Sequence, residues 1–89
     1  MPRYSKRFKN LMPTIAGIAS YIETKVGGVV FPFDDKKLKA VNFRWKKMNP
    51  NTKEGLRYNY KVSYLDLETM IEPMAIAMGI VDKIERGAE

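Results

Sequence analysis

Two stretches decide how this chain reads: LKAVNFRWKKM at residues 38–48 and LRYNYKVSYL at residues 56–65. Both alternate with a period of two, as a strand with one buried face does. In the first, Val41, Phe43 and Trp45 share one side, while Asn42, Arg44 and Lys46 share the other. In the second, Tyr58, Tyr60, Val62 and Tyr64 oppose Arg57, Asn59, Lys61 and Ser63. Between them, Asn49-Pro50-Asn51-Thr52-Lys53-Glu54-Gly55 is rich in turn formers. The two stretches read as an antiparallel hairpin. The strands are paired here with their apolar sides superposed, since a slip of one residue would turn every apolar side chain outward. Trp45 then faces Tyr58, Phe43 faces Tyr60 and Val41 faces Val62. The same register sets Lys46 opposite Arg57 and Asn42 opposite Lys61.

Upstream, Val29 to Phe33 reads as a short strand, and Pro32 within it predicts an edge position or a bulge. Asp34-Asp35-Lys36-Lys37 reads as a polar turn. Before the strand, Ile15, Ile18, Ile22 and Val26 recur at helical spacing with Ala19 on the same side, after Pro13 as a first-turn residue. Gly27 and Gly28 end that helix. Residues 1–10 carry Arg3, Lys6, Arg7 and Lys9 with no acid and no clear period, and are expected to form a flexible basic arm. They could pass for the start of a signal peptide, but an amphipathic helix follows rather than an apolar run.

Downstream, Asp66 is the expected N-cap of a second helix, with Leu67, Met70, Ile71, Met74, Met78 and Val81 at helical spacing. Pro73 should kink or restart it. From Met74 to Val81 every residue is apolar or glycine, which predicts a helix covered on more than one side. Ala16 and Ser20, and likewise Ala75 and Gly79, stand four apart and suggest close helix packing, within the chain or across a dimer axis. The expected architecture is α+β, in the order α-β-β-β-α. A three-stranded antiparallel sheet carries both helices on one face, in a single domain over residues 11–89.

The 89 residues contain neither cysteine nor histidine. Zinc fingers and other metal sites built on nitrogen or sulfur ligands are thereby excluded, as are the usual nucleophile–base pairs, and no enzyme activity, cofactor or metal is expected. Asp34 and Asp35 are adjacent, but such a pair in a turn is ordinarily just solvated. Glu23-Thr24-Lys25 echoes a nuclease Glu-x-Lys without an earlier aspartate to complete the set. The lack of cysteine fits a cytoplasmic setting, and the helical stretches are too interrupted by charge to span a membrane.

The net charge of +6 is unevenly distributed. Lys36, Lys37, Lys39, Arg44, Lys46, Lys47, Lys53, Arg57 and Lys61 stand in the middle of the chain against Glu54 alone. Residues 62–89 carry Asp66, Glu68, Glu72, Asp82, Glu85 and Glu89 against Lys83 and Arg86. Such segregation favours electrostatic docking on one face. Like charges directly across a strand pair are unfavourable, so an exposed face that keeps Lys46 beside Arg57 suits an anion. Lysine and arginine are also ordinary on exposed strands, where they discourage edge-to-edge pairing.

The function expected is non-catalytic nucleic-acid binding, DNA or RNA, by the outward face of the hairpin. Its centre is Arg44, Lys46, Arg57 and Lys61, extended by Lys47 and Lys53 toward the loop and by Lys36, Lys37 and Lys39 at the other end. Asn42 and Asn59 supply neutral hydrogen-bonding groups. Neutralising roughly five phosphates would give a log–log salt slope near −4 to −5 on duplex DNA. The alternating pattern assigns Phe43, Trp45, Tyr58, Tyr60 and Tyr64 to the core rather than to a stacking surface. The alternative function is a protein-interaction module, or a small inhibitor of the phage and virus type, docking on an acidic protein surface. Its methionine-rich helix could also mediate a homodimer.

The element order resembles that of double-stranded-RNA-binding domains, whose second helix opens with lysines. Here that opening is Asp66, Glu68 and Glu72, which would repel phosphate. The region Leu38 to Gly79 is similar in outline to sheet-plus-helix DNA-binding domains of the integrase-arm type. That resemblance implies a basic sheet face, here Arg44, Lys46, Arg57 and Lys61, placed in the major groove.

Overall fold

The computed structural model describes residues 4–48, 51, 54–70 and 72–87. Strands β1 (Val29–Asp35), β2 (Ala40–Met48) and β3 (Gly55–Ser63) form one antiparallel sheet in the order β1-β2-β3. The hairpin register is the expected one: Trp45 pairs with Tyr58, Phe43 with Tyr60, Val41 with Val62, Lys46 with Arg57 and Asn42 with Lys61. β1 is an edge strand, which is where Pro32 can lack an N–H without breaking the ladder. It runs on through Asp34 and Asp35, so the turn to β2 is residues 36–39.

Helix α1 is Lys6–Asn10 and helix α2 is Met12–Val26. Phe8 is the reason that residues 4–10 form structure rather than a free arm. Its ring is only 1 % exposed, stacked on Tyr4 with ring centroids 4.6 Å apart. Ser5 caps α1, its hydroxyl accepting from the Phe8 N–H, while its own N–H donates to Asp34 Oδ2 at 2.7 Å. Met1, Pro2 and Arg3 of the expected arm lie outside the described residues. In α2, Ile15, Ile18, Ala19 and Ile22 are buried as their spacing requires.

The second predicted helix is two. Helix α3 spans Tyr64–Thr69 and helix α4 spans Pro73–Gly87. The cap of α3 is Ser63, whose hydroxyl accepts from the Asp66 N–H at 3.0 Å, and not Asp66 itself. β3 therefore ends two residues earlier than the alternation suggests, and the Tyr64 N–H donates to the Lys39 carbonyl at 2.9 Å. Met70 is extended, at φ −66° and ψ 135°. Pro73 then restarts the helix in a position that needs no N–H donor.

Helices α2 and α4 pack on one face of the sheet. Their apolar sides meet Val30, Val41, Phe43 and Trp45 in a single core with Tyr64, Leu67, Ala77, Ile80, Val81 and Ile84. α4 is covered on one side only, because α2 and the sheet supply a single contact surface. Ala75, Met78 and Gly79 face outward, as do Ala16 and Ser20 of α2. The small-residue rows are thus not the seam between the two helices. At that seam Gly17 of α2 stands beside Met74, whose Cε lies 3.8 Å from where a Gly17 Cβ would be.

Candidate nucleic-acid interface

With both helices on one face, the other face of the sheet is open. Register sets three cross-strand rows on it: Val29–Lys46–Arg57, Phe31–Arg44–Asn59 and Phe33–Asn42–Lys61. Strand alternation makes this placement unavoidable, because Val30, Phe43, Trp45 and their partners are committed to the core. Arg44, Lys46, Arg57, Asn59 and Lys61 are exposed. A shallow groove of about 410 Å³ runs among Phe31, Arg44, Lys46, Arg57 and Asn59.

The cations are not equivalent. Lys61 pairs with Asp35 across the sheet at 3.6 Å, so part of its charge is answered within the chain. Arg44 lies over the Phe33 ring, 4.5 Å from its centroid. Lys46 and Arg57 sit directly opposite each other with no acidic partner among the described residues. Asp66, Glu68, Glu72, Asp82 and Glu85 lie from α3 to α4, on the helical side. There Glu68 accepts a two-pronged bond from Arg7, at 2.6 and 3.0 Å, and Asp82 pairs with Arg86 at 3.1 Å.

Compared with protein-family models, with curated proteins and with solved structures, the chain matches none.

The remaining expected site residues fall in different places. Lys36, Lys37 and Lys39 occupy the exposed β1–β2 turn, at the end of the sheet away from Lys46 and Arg57. Lys47 is on the helical side, because it follows Lys46 by one residue in the pleat. Its ammonium donates to the Val26 carbonyl at 3.1 Å, at the C-terminus of α2. Lys53 lies outside the described residues. Asn42 points toward the open face by register but is only 6 % exposed, flanked by the longer side chains of Phe33 and Lys61. Its Oδ1 is buried without a hydrogen-bond partner.

The acids considered for catalysis are spent structurally. Glu23 accepts from the Val30 N–H at 2.9 Å and so fastens edge strand β1 to α2. Asp34 and Asp35 project to opposite faces of the strand. Asp34 accepts from Ser5, and Asp35 accepts from the Leu38 N–H at 3.1 Å in the following turn. Among the described residues no three acids gather as a metal site. No helix among them is long and apolar enough to cross a membrane.

The pattern of the hairpin does not reveal Phe31 and Phe33. They stand on β1, at 55 % and 44 % exposure, and belong to the same face as the arginines. Their signal was the alternation Val29, Phe31, Phe33 about Val30 and Pro32, too short to assign a face until β1 is paired with β2. A larger depression of about 600 Å³ lies elsewhere, between β3 and helices α3 and α4. Its lining includes Tyr60, Lys61, Asp66, Met70, Ile76 and Lys83, a mixed apolar and charged set.

Proposed function

We propose that this protein binds nucleic acid, without catalysis, through the open face of its sheet. The observation that supports this reading is the placement of Arg44, Lys46 and Arg57 on adjacent strands, uncovered by any helix and without an acidic partner among the described residues. Holding Lys46 directly opposite Arg57 costs the sheet a few tenths of a kcal/mol or more, which phosphate binding would offset. Lys61 contributes once its bond to Asp35 exchanges for phosphate. The cation set is thus Arg44, Lys46, Arg57 and Lys61, with Lys36, Lys37 and Lys39 as an outlying group. Such a protein belongs in the cytoplasm, in keeping with its lack of cysteine.

Four phosphates neutralised give a log–log salt slope of roughly −3 on a single strand and −3.6 on a duplex. The variant carrying R44Q, K46Q and R57Q should bind far more weakly at low salt, with a slope reduced by about 2 to 3. Fluorescence anisotropy over a salt series measures both. Absence of binding by the wild type at low salt would refute the reading.

A second reading is supported by the outward side of α4. Met78 is 57 % exposed between Ala75 and Gly79, a surface suited to another protein or to a second copy of this chain. Sedimentation at high micromolar concentration should then show a dimer that M78K dissociates. A monomer throughout would reject self-association.

A further inference from the structure

We infer that the ligand of the open face is a single-stranded nucleic acid, whose bases stack on Phe31 and Phe33 while its phosphates follow Arg44, Lys46 and Arg57. The inference rests on the nucleic-acid reading above and specifies the ligand class. The two rings sit at i and i+2 of β1, so they stand on the same face about 6.6 Å apart along the strand. Both are more than two-fifths exposed, and the groove between Phe31 and the cations is lined by Arg44, Lys46, Arg57 and Asn59. Register makes the face a strip of rings along one edge and a strip of cations beside it.

That division matches the two parts of an unpaired nucleotide strand. A base has a π-face that any aromatic ring can receive, and the linking phosphates carry the charge. Arg44 joins the two strips, because it is held over the Phe33 ring and still reaches solvent. Its guanidinium covers one face of that ring, so a base meets the ring's remaining exposed surface, with its phosphate beside Arg44. A duplex cannot use the rings in this way, because its bases are already stacked on one another and present only their edges in the grooves. Two neighbouring exposed phenylalanines would otherwise be a liability on an edge strand of a small basic domain. Asn59, in the row of Phe31 and Arg44, adds a sequence-tolerant hydrogen-bonding group rather than a base-reading set. The expected preference is therefore for unpaired strands with weak sequence selectivity.

The test compares four probes on the full chain by anisotropy at fixed low salt: an oligothymidylate, an oligouridylate, a DNA duplex of equal length, and an abasic deoxyribose-phosphate strand. Wild type should prefer the base-bearing single strands over both the duplex and the abasic strand. F31A with F33A should weaken single-strand binding by about a hundredfold, about tenfold per ring. The salt slope should not change, and binding to the abasic strand should not change either. F31W with F33W should restore binding. Both rings are exposed, and an unchanged thermal melt shows that each variant folds. Duplex binding as tight as single-strand binding, or loss of the rings without effect on the base-bearing strands, overturns this inference while leaving the charged face intact. If no probe binds at low salt, the charged-face reading fails, and this inference with it.

Discussion

At the scale of single residues, the sheet depends on a few positions where geometry admits one side chain. Gly28 links α2 to β1 at φ +78°, in the left-handed region that costs an L-residue energy. A Cβ there would come within 2.6 Å of the Lys46 carbonyl oxygen and 2.8 Å of the Trp45 indole nitrogen. That nitrogen donates to the Gly27 carbonyl at 2.8 Å, which locks the indole under the helix end. G28A should therefore destabilise the fold by about 2 kcal/mol or more. Urea unfolding followed by Trp45 fluorescence measures it, and an unchanged midpoint would contradict the packing described. The same position governs the open face indirectly. Moving Trp45 or the Lys46 backbone would shift the strand that carries Arg44 and Lys46.

Among elements, the N-terminal segment and α3 form one unit that the sequence conceals. Arg7 of α1 grips Glu68 of α3 with two hydrogen bonds and lies 5.0 Å over the Tyr64 ring. Ser5 adds a hydroxyl contact to Tyr64 at 3.1 Å. The hydrogen bonds from Arg7, helped by its charge, hold the Glu68 carboxyl below its ordinary range despite some opposing desolvation. A carboxyl whose folded pKa is depressed contributes stability that is fully present above its unfolded pKa. That contribution is lost as pH falls through the folded value. The melting temperature should thus fall as pH drops through and below the usual glutamate range. E68Q should flatten that part of the profile while lowering the melt slightly at neutral pH. Because the pair is exposed, the effect is small, and an acid limb identical in both proteins would show that the clamp contributes nothing. The break between α3 and α4 has a local cause in Pro73, and the outward side of α4 follows from α2 and the sheet offering only one contact surface.

For the whole molecule, the two faces differ in character. The helical side mixes acids with cations such as Arg7, Lys25, Lys47 and Lys83, whereas the open face gathers Arg44, Lys46, Arg57 and Lys61 with two phenylalanines and Asp35. Removing the open-face cations should leave the fold intact, because these residues are exposed and Lys46 and Arg57 repel each other. R44Q, K46Q and R57Q together should keep the melting temperature or raise it slightly, since relieving like charges across a strand pair yields a few tenths of a kcal/mol. A large drop in the melt would mean that these cations serve the structure rather than a ligand. Binding and stability should therefore separate, with the cations moving the first and Gly28 the second.

The hairpin was legible in the sequence alone. Alternation at residues 38–48 and 56–65 commits Phe43 and Trp45 to the buried face, and thereby decides which cations share the other. The spacing of Ile15, Ile18 and Ile22 sufficed for α2 in the same way, because a helix face is a local property of the chain. Local pattern could not supply what depends on contacts distant in sequence. Phe8 turned a basic lead-in into a docked helix because the core had room for one more ring. Ser63, rather than Asp66, capped α3 once β3 ended beside the Lys39 carbonyl. Lys47 went to the helical side, and Asn42 was covered by its neighbours. The placement of Phe31 and Phe33 beside Arg44 came from the pairing of β1 with β2, since a strand of a few residues has two equal faces until a partner buries one.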